Sequence, residues 1–145
     1  LIERSKIQTE GKKCLVIGRS QIVGRPISIL LSQNKIFGNS TVTVAHSRTS
    51  NLEELCLDSD LIISAIGKPE FIKGNMIKKG STIIDVGITR VDDSSSHKGY
   101  RIAGDVDFNS VSSRVGFITP VPGGVGPMTI AMLLKNTLKA CSLSD

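Results

Sequence analysis

The chain of 145 residues is 39% hydrophobic and 21% charged, an ordinary globular composition at the usual length of one domain. No Trp, one Tyr and four Phe count against a base-stacking surface for nucleic acid and leave the core to Ile, Leu, Val and Ala. The net charge of +5 comes from cations scattered along the chain, which suits a phosphate-rich small ligand better than a polyanion. No apolar run approaches the roughly 18 residues of a membrane span. Cys14, Cys56 and Cys141 are odd in number and lack metal-like spacing, so buried, reduced thiols of a cytoplasmic protein are expected and no metal site is.

In chain order, residues 1–7 (LIERSKI) have helical composition but no start signal, and the chain opens on Leu1 rather than Met. Both features predict a fragment from which something upstream was removed. Residues 13–18 (KCLVIG) form a short apolar run ending in Gly, a buried parallel strand. Pro26 then sits in the first turn of a helix with Ile27, Leu30 and Leu31 on one face. Residues 41–45 (TVTVA) are a second strand, and Ser50 with Glu53 predicts a capping box opening a helix that buries Leu52, Leu55 and Cys56. Strands follow at 61–67 and 81–88, separated by a short helical piece ending at Lys79 and Gly80. Residues 92–99 are a polar loop of hairpin character before Arg101. A last strand at 115–119 leads through a Pro/Gly loop at 120–126 into a terminal helix with an apolar stripe of Ile130, Leu133, Leu134 and Leu138. The βαβ rhythm predicts an α/β fold: a doubly wound, mostly parallel, Rossmann-like sheet in three layers, with residues 1–145 as one dinucleotide-binding domain.

Ligands of such sheets bind outside the carboxyl ends of the strands. After the first strand, Gly18 allows a tight turn, Ser20 offers a hydroxyl to a phosphate, and Gly24 brings the next helix and its first amides close. The turn departs twice from G-x-G-x-x-G: Ser20 replaces the second Gly, and the last Gly comes one residue late. An ordinary βα turn therefore stays open as a reading. After the second strand stands Ala45-His46-Ser47-Arg48-Thr49, with no acid to hold the ribose hydroxyls of NAD. A hydroxyl and a guanidinium there, with Arg19 nearby in the first turn, fit a 2′-phosphate, so NADP is the favoured cofactor; a plain solvated loop is the alternative. His46 and His97 receive no catalytic role. Asp85 and Asp105 are the carboxylates nearest the cleft, with hydrogen bonding to loop amides preferred over catalysis for each. Pro122-Gly123-Gly124-Val125-Gly126-Pro127 is the most specific segment, a rigid wall that a flat ligand can approach closely.

The segments GRSQIVGRP (18–26), TVTVAHSRT (41–49), IIDVGITRV (83–91), GDVDF (104–108) and ITPVPGGVGPMT (118–129) resemble the C-terminal part of the methylenetetrahydrofolate dehydrogenase/cyclohydrolase family, in order and at matching intervals. The resemblance covers nearly the whole chain, and that family uses G-x-S where the glycine pattern departs. It implies that Gly18, Arg19 and Ser20 line the cofactor phosphates and Ser47 the 2′-phosphate. It also implies that the backbone of Ile88 holds the nicotinamide carboxamide, that Thr129 touches the cofactor from the other side, and that Pro122, Gly123, Gly124, Val125 and Gly126 border folate and nicotinamide. The family's proton-handling Lys and Tyr lie in an N-terminal domain preceding Leu1, so no catalytic residue is expected here. Thr89, where many relatives carry Asn, and a longer loop at 34–40 are smaller departures. The implied activity is oxidation of 5,10-methylenetetrahydrofolate by NADP⁺ and hydrolysis of the product to 10-formyltetrahydrofolate, in a homodimer that binds no nucleic acid or membrane. A nucleotide-sensing module would need no Pro/Gly wall. A short-chain oxidoreductase would need Tyr-x-x-x-Lys, but Gly104 stands four residues after Tyr100.

Overall fold

A computed structural model describes residues 1–143. In chain order it contains β1 (Lys13–Ile17), α1 (Gly24–Ser32), β2 (Thr41–Ala45), α2 (Leu52–Asp58), β3 (Leu61–Ser64), a 3₁₀ turn (Gly74–Met76), β4 (Thr82–Asp85), β5 (Thr89–Asp92), β6 (Tyr100–Ala103), α3 (Phe108–Val111), β7 (Phe117–Ile118) and α4 (Val125–Ser142). Five strands pair in parallel in the order β2-β1-β3-β4-β7, and β5 and β6 form a separate antiparallel hairpin. The doubly wound α/β sheet expected from the alternation of strand and helix patterns is therefore present. β1 is flanked by β2 on one side and β3 on the other, which puts the topological switch point at its carboxyl end.

Side chains alternate across the strands at period two, and this divides the core into two layers. Leu15, Ile17, Ile62 and Ile83 pack with Cys56, Ile72, Ile77 and Val111, joined by Leu52 and Leu55 of α2. Cys14, Val16, Leu61, Ile63 and Ile84 face the other way, against Ile7 and Leu31, with Ile27 of α1 at the margin. Strands buried on both faces explain the near-continuous apolar runs at 13–18 and 61–67. The strands stop earlier than those runs because side chains take over from the ladder. Val86 N still donates to Ser64 O, but the Ile66 and Lys68 amides turn to the Asp105 carboxylate.

Several local expectations are corrected. Residues 2–6 form turns rather than a helix, with Lys6 at φ 52° breaking any continuation. α2 begins one residue later than a capping box requires: Asn51 is the N-cap, no side chain caps the helix, and Glu53 bonds the Asn75 amide instead. The helical piece before Gly80 is only the 3₁₀ turn, already ended at Met76. The stripe on α4 lies on the outside: Leu133, Leu134 and Leu138 are 66%, 67% and 73% exposed. Cys14 and Cys56 are buried as expected, but Cys141, on the same helix, is exposed. In the hairpin the Arg90 guanidinium stacks 3.7 Å over the Tyr100 ring. Among the described residues, no helix is long and apolar enough to cross a membrane.

Candidate functional site

At the switch point the chain leaves β1 through Gly18, whose N–H donates to Ala45 O. With φ at +113° and a Cβ that would run into the Ala65 carbonyl, only glycine fits between the ends of β2 and β3. Ser20 organises the turn that follows. Its Oγ accepts from the amides of Val23 at 3.1 Å and Gly24 at 3.2 Å, and its carbonyl accepts from Arg25 N. The first amides of α1 are thus consumed inside the turn, which corrects the expectation that they face an anion. The Arg19, Ser20, Gln21 and Ile22 amides donate to no acceptor among the described residues, so they are the donors left open there. Four successive unpaired N–H groups at a strand end attract an anion. The hydroxyl proton of Ser20 stays available as a further donor, because its oxygen only accepts in these bonds. The Arg19 side chain is exposed and makes no ion pair with any described residue.

β2 ends in register with β1, Ala45 opposite Ile17, so residues 46–49 sit beside the Gly18 turn. They hold themselves in a tight turn: Thr49 N donates to His46 O, His46 N to Thr49 Oγ1 and Arg48 N to His46 Nδ1. His46 is thereby spent on backbone geometry, while Ser47 and Arg48 point outward, exposed.

On the other side of the switch point, two buried carboxylates tie the ends of β3 and β4 to the segment after β6. Asp85 accepts from Gly87 N at 2.9 Å, Asp105 N at 3.1 Å and Val106 N at 2.9 Å. Asp105 accepts from Ser64 Oγ at 3.0 Å, Ile66 N at 2.8 Å and Lys68 N at 2.9 Å. Burial pushes the Asp85 carboxyl above its usual range, and the three backbone amides pull it back in part. Hydrogen bonding to loop amides, the preferred reading of both residues, is what the structure shows. Sequence reasoning missed the partners Ser64 and Thr119; Thr119 Oγ1 accepts from Asp85 N at 2.8 Å. A lone hydroxyl within each apolar run was the only signal.

Beyond Asp85, a cavity of about 260 Å³ is lined by Ile88 and by the strip Pro122, Gly123, Gly124, Val125 and Gly126. Ile88 is 64% exposed, an apolar side chain held at the rim. Thr129 stands apart from this cavity. Its Oγ1 donates to Val125 O, and it lines an apolar groove of about 800 Å³ with Ile22, Val23 and Pro26.

An anion-ready turn at the switch point of a doubly wound sheet, and an apolar slot on the far side of it, define a dinucleotide-binding domain. The chain belongs to the family of tetrahydrofolate dehydrogenase/cyclohydrolase NAD(P)-binding domains, which matches residues 1–145. It is 64% identical over 140 residues to a bifunctional protein FolD of Flavobacterium johnsoniae, covering 97% of this chain and 48% of that protein. A FolD of Cytophaga hutchinsonii is 56% identical over 143 residues, with 99% and 49% covered. Among solved structures, the Trypanosoma brucei N5,N10-methylenetetrahydrofolate dehydrogenase-cyclohydrolase, complexed with NADP cofactor and inhibitor, superposes with a TM-score of 0.90 at 43% identity, over 99% of this chain and 48% of that one. The Campylobacter jejuni FolD enzyme gives 0.87 at 44% identity, with 99% and 48% covered. The chain spans about half the length of the curated relatives it matches.

Proposed function

We propose that this chain is the NADP-binding part of an enzyme that oxidises 5,10-methylenetetrahydrofolate to the methenyl compound and hydrolyses that product to 10-formyltetrahydrofolate. The observation that carries the reading is the run of unpaired amides at 19–22, next to Arg19 and to a second loop, 46–49, that offers a hydroxyl and a guanidinium but no acid. That donor set fits NADP: the amides and the Ser20 hydroxyl would hold the pyrophosphate, and Arg19 with Ser47 the 2′-phosphate. Ile88 and the strip 122–126 would border the nicotinamide and the folate, and Thr129 would close the cofactor's other side.

Bound there, NADP⁺ supplies the hydride acceptor. The residues of this chain orient it, and fixing two reactants in attack geometry accounts for a large part of a rate enhancement. The Pro/Gly strip keeps the slot apolar and rigid. No acid–base group is assigned here, because Asp85 and Asp105 spend their oxygens on amides and a hydroxyl. Proton handling falls to residues outside these 145, the whole being a cytoplasmic, homodimeric enzyme of one-carbon metabolism. The exposed edge strand β2, with Val44 39% exposed, supports pairing between copies.

Calorimetry tests the reading. NADP⁺ is expected to bind more tightly than NAD⁺, and Arg19→Ala to weaken NADP⁺ by about tenfold or more, the worth of a charged hydrogen bond, with NAD⁺ unchanged. Tighter binding of NAD⁺ together with an inert Arg19→Ala overturns it. Cyclohydrolase turnover by this chain alone contradicts the placing of the base elsewhere.

A further inference from the structure

Asp85 and Asp105 are 2% and 0% exposed, and neither has an ion-pair partner among the described residues. A buried carboxylate without a cation is costly unless dipoles hold it. Here six hydrogen bonds do so. The two groups also interlock: a Cβ on Gly87 would strike the Asp105 carboxylate, and one on Gly104 the Asp85 carboxylate. Neither carboxylate can shift without moving the backbone that carries the other.

The bonds end on strand termini rather than in the core. Asp105 ties the segment after β3 through Ser64, Ile66 and Lys68; Asp85 ties the segment after β4 through Gly87 and, through its own amide, Thr119 beside β7. All three strands lie on one side of the switch point. The turn at 18–24 and the loop at 46–49, on the other side, receive no bond from either carboxylate. We propose that Asp105 and Asp85 are positioning residues for a bound dinucleotide: they hold residues 65–68 against Gly87 and Ile88, and so set the nicotinamide half of the cleft while leaving the adenosine half untouched. This rests on the NADP reading above.

The polarity of the network dictates the variant. In Asp105→Asn one end becomes a donor; with the oxygen kept toward Ser64 and Ile66, the new NH₂ faces the Lys68 N–H and the segment is released. Binding of NADP⁺ and of 2′,5′-ADP, which carries only the adenosine half, is measured on the chain and on the variant. Asp105→Asn is expected to weaken NADP⁺ by about tenfold and to leave 2′,5′-ADP within about twofold. Should Asp105→Asn fail to give a folded circular dichroism spectrum, Ser64→Ala, which removes one donor and leaves both amides, is expected to weaken NADP⁺ by about threefold with 2′,5′-ADP unchanged. Parallel loss of both ligands, or no loss of either, overturns the proposal, since that is what a merely structural or an idle carboxylate would do. A wild-type chain that binds neither ligand overturns the functional reading, and this inference with it.

Discussion

Gly18→Ala measures how tightly the switch point is closed. The residue sits at φ +113°, and its new Cβ would collide with the Ala65 carbonyl. Neither side can yield cheaply, because Gly18 N is bonded to Ala45 O at 2.9 Å and Ala65 N to Ile17 O at 2.8 Å. The backbone conformation alone costs a non-glycine residue about 1–2 kcal/mol, and relieving the collision by giving up one buried backbone bond costs about 1 kcal/mol or more. Together, roughly 3 kcal/mol is expected, which at this size lowers Tm by about 6–12 °C. Gly80→Ala is the control. It has φ +80° but nothing within 4 Å of the built Cβ, so it incurs the conformational cost without the collision, about 1 kcal/mol and roughly 3 °C. Thermal unfolding followed by circular dichroism compares the two, with NADP⁺ titration of Gly18→Ala alongside. If Gly18→Ala melts no lower than Gly80→Ala, the close approach of the ends of β1 and β3 is not a real constraint, and the argument that this position demands glycine fails.

Two further outcomes follow from burial. Burial pushes the Cys14 thiol up to about 12 and, with Glu53 adding repulsion, the Cys56 thiol up to about 11, from 9.0. Below pH 9 both thiols are protonated in either state and their stabilisation is intact; as pH rises from 9 towards those folded values, only the unfolded chain ionises and stability falls. Each thiol contributes a slope of at most about 1.4 kcal/mol per pH unit, so urea midpoints between pH 8 and 10.5 should fall less steeply in Cys14→Ala than in the parent; equal slopes refute the assignment. Leu31→Ala, at a fully buried position of α1, should cost about 2–5 kcal/mol, whereas Leu133→Ser on the outer face of α4, 66% exposed, should stay within about 0.5 kcal/mol of the parent chain. A large loss in Leu133→Ser would mean that α4 packs more closely than the structure has it.

The side of the cleft proposed for the adenosine half was more legible than the side proposed for the nicotinamide, and the reason is range. Gly18, Ser20 and Gly24 act on one another within seven residues, and His46 to Thr49 close on themselves, so local spacing carries the geometry. Ser20 still misled in one respect: its oxygen turned inward to the amides of Val23 and Gly24, and the donors left without acceptors among the described residues became the backbone of Arg19 to Ile22. The capping box failed for an equally local reason, a helix start displaced by one residue from Ser50. On the far side the determinants are distant. Asp105 meets Ser64 across 41 positions and Lys68 across 37, and Thr119 meets Asp85 across 34. No periodicity links such residues. The exposed stripe on α4 failed differently: period marks which residues share a face, but not whether anything packs on it.

The two sides of the cleft solve opposite problems with the same groups. A phosphate brings its own charge, so a turn proposed to hold one needs unpaired amides, and the turn after β1 has them: Ser20 takes the first helix amides, and the four before them are left without acceptors among the described residues. An oxidised nicotinamide is a cationic ring without phosphate oxygens to accept hydrogen bonds, so a side that seats one needs walls that hold their shape, and there the amides at Ile66, Lys68, Gly87 and Val106 are taken by Asp85 and Asp105. An unpaired amide is a binding contact waiting for an acceptor; a saturated one is stiffness, since the ordering cost is met on folding rather than on binding. A carboxylate beside the Gly18 turn would consume its open amides and repel the phosphates proposed to bind there.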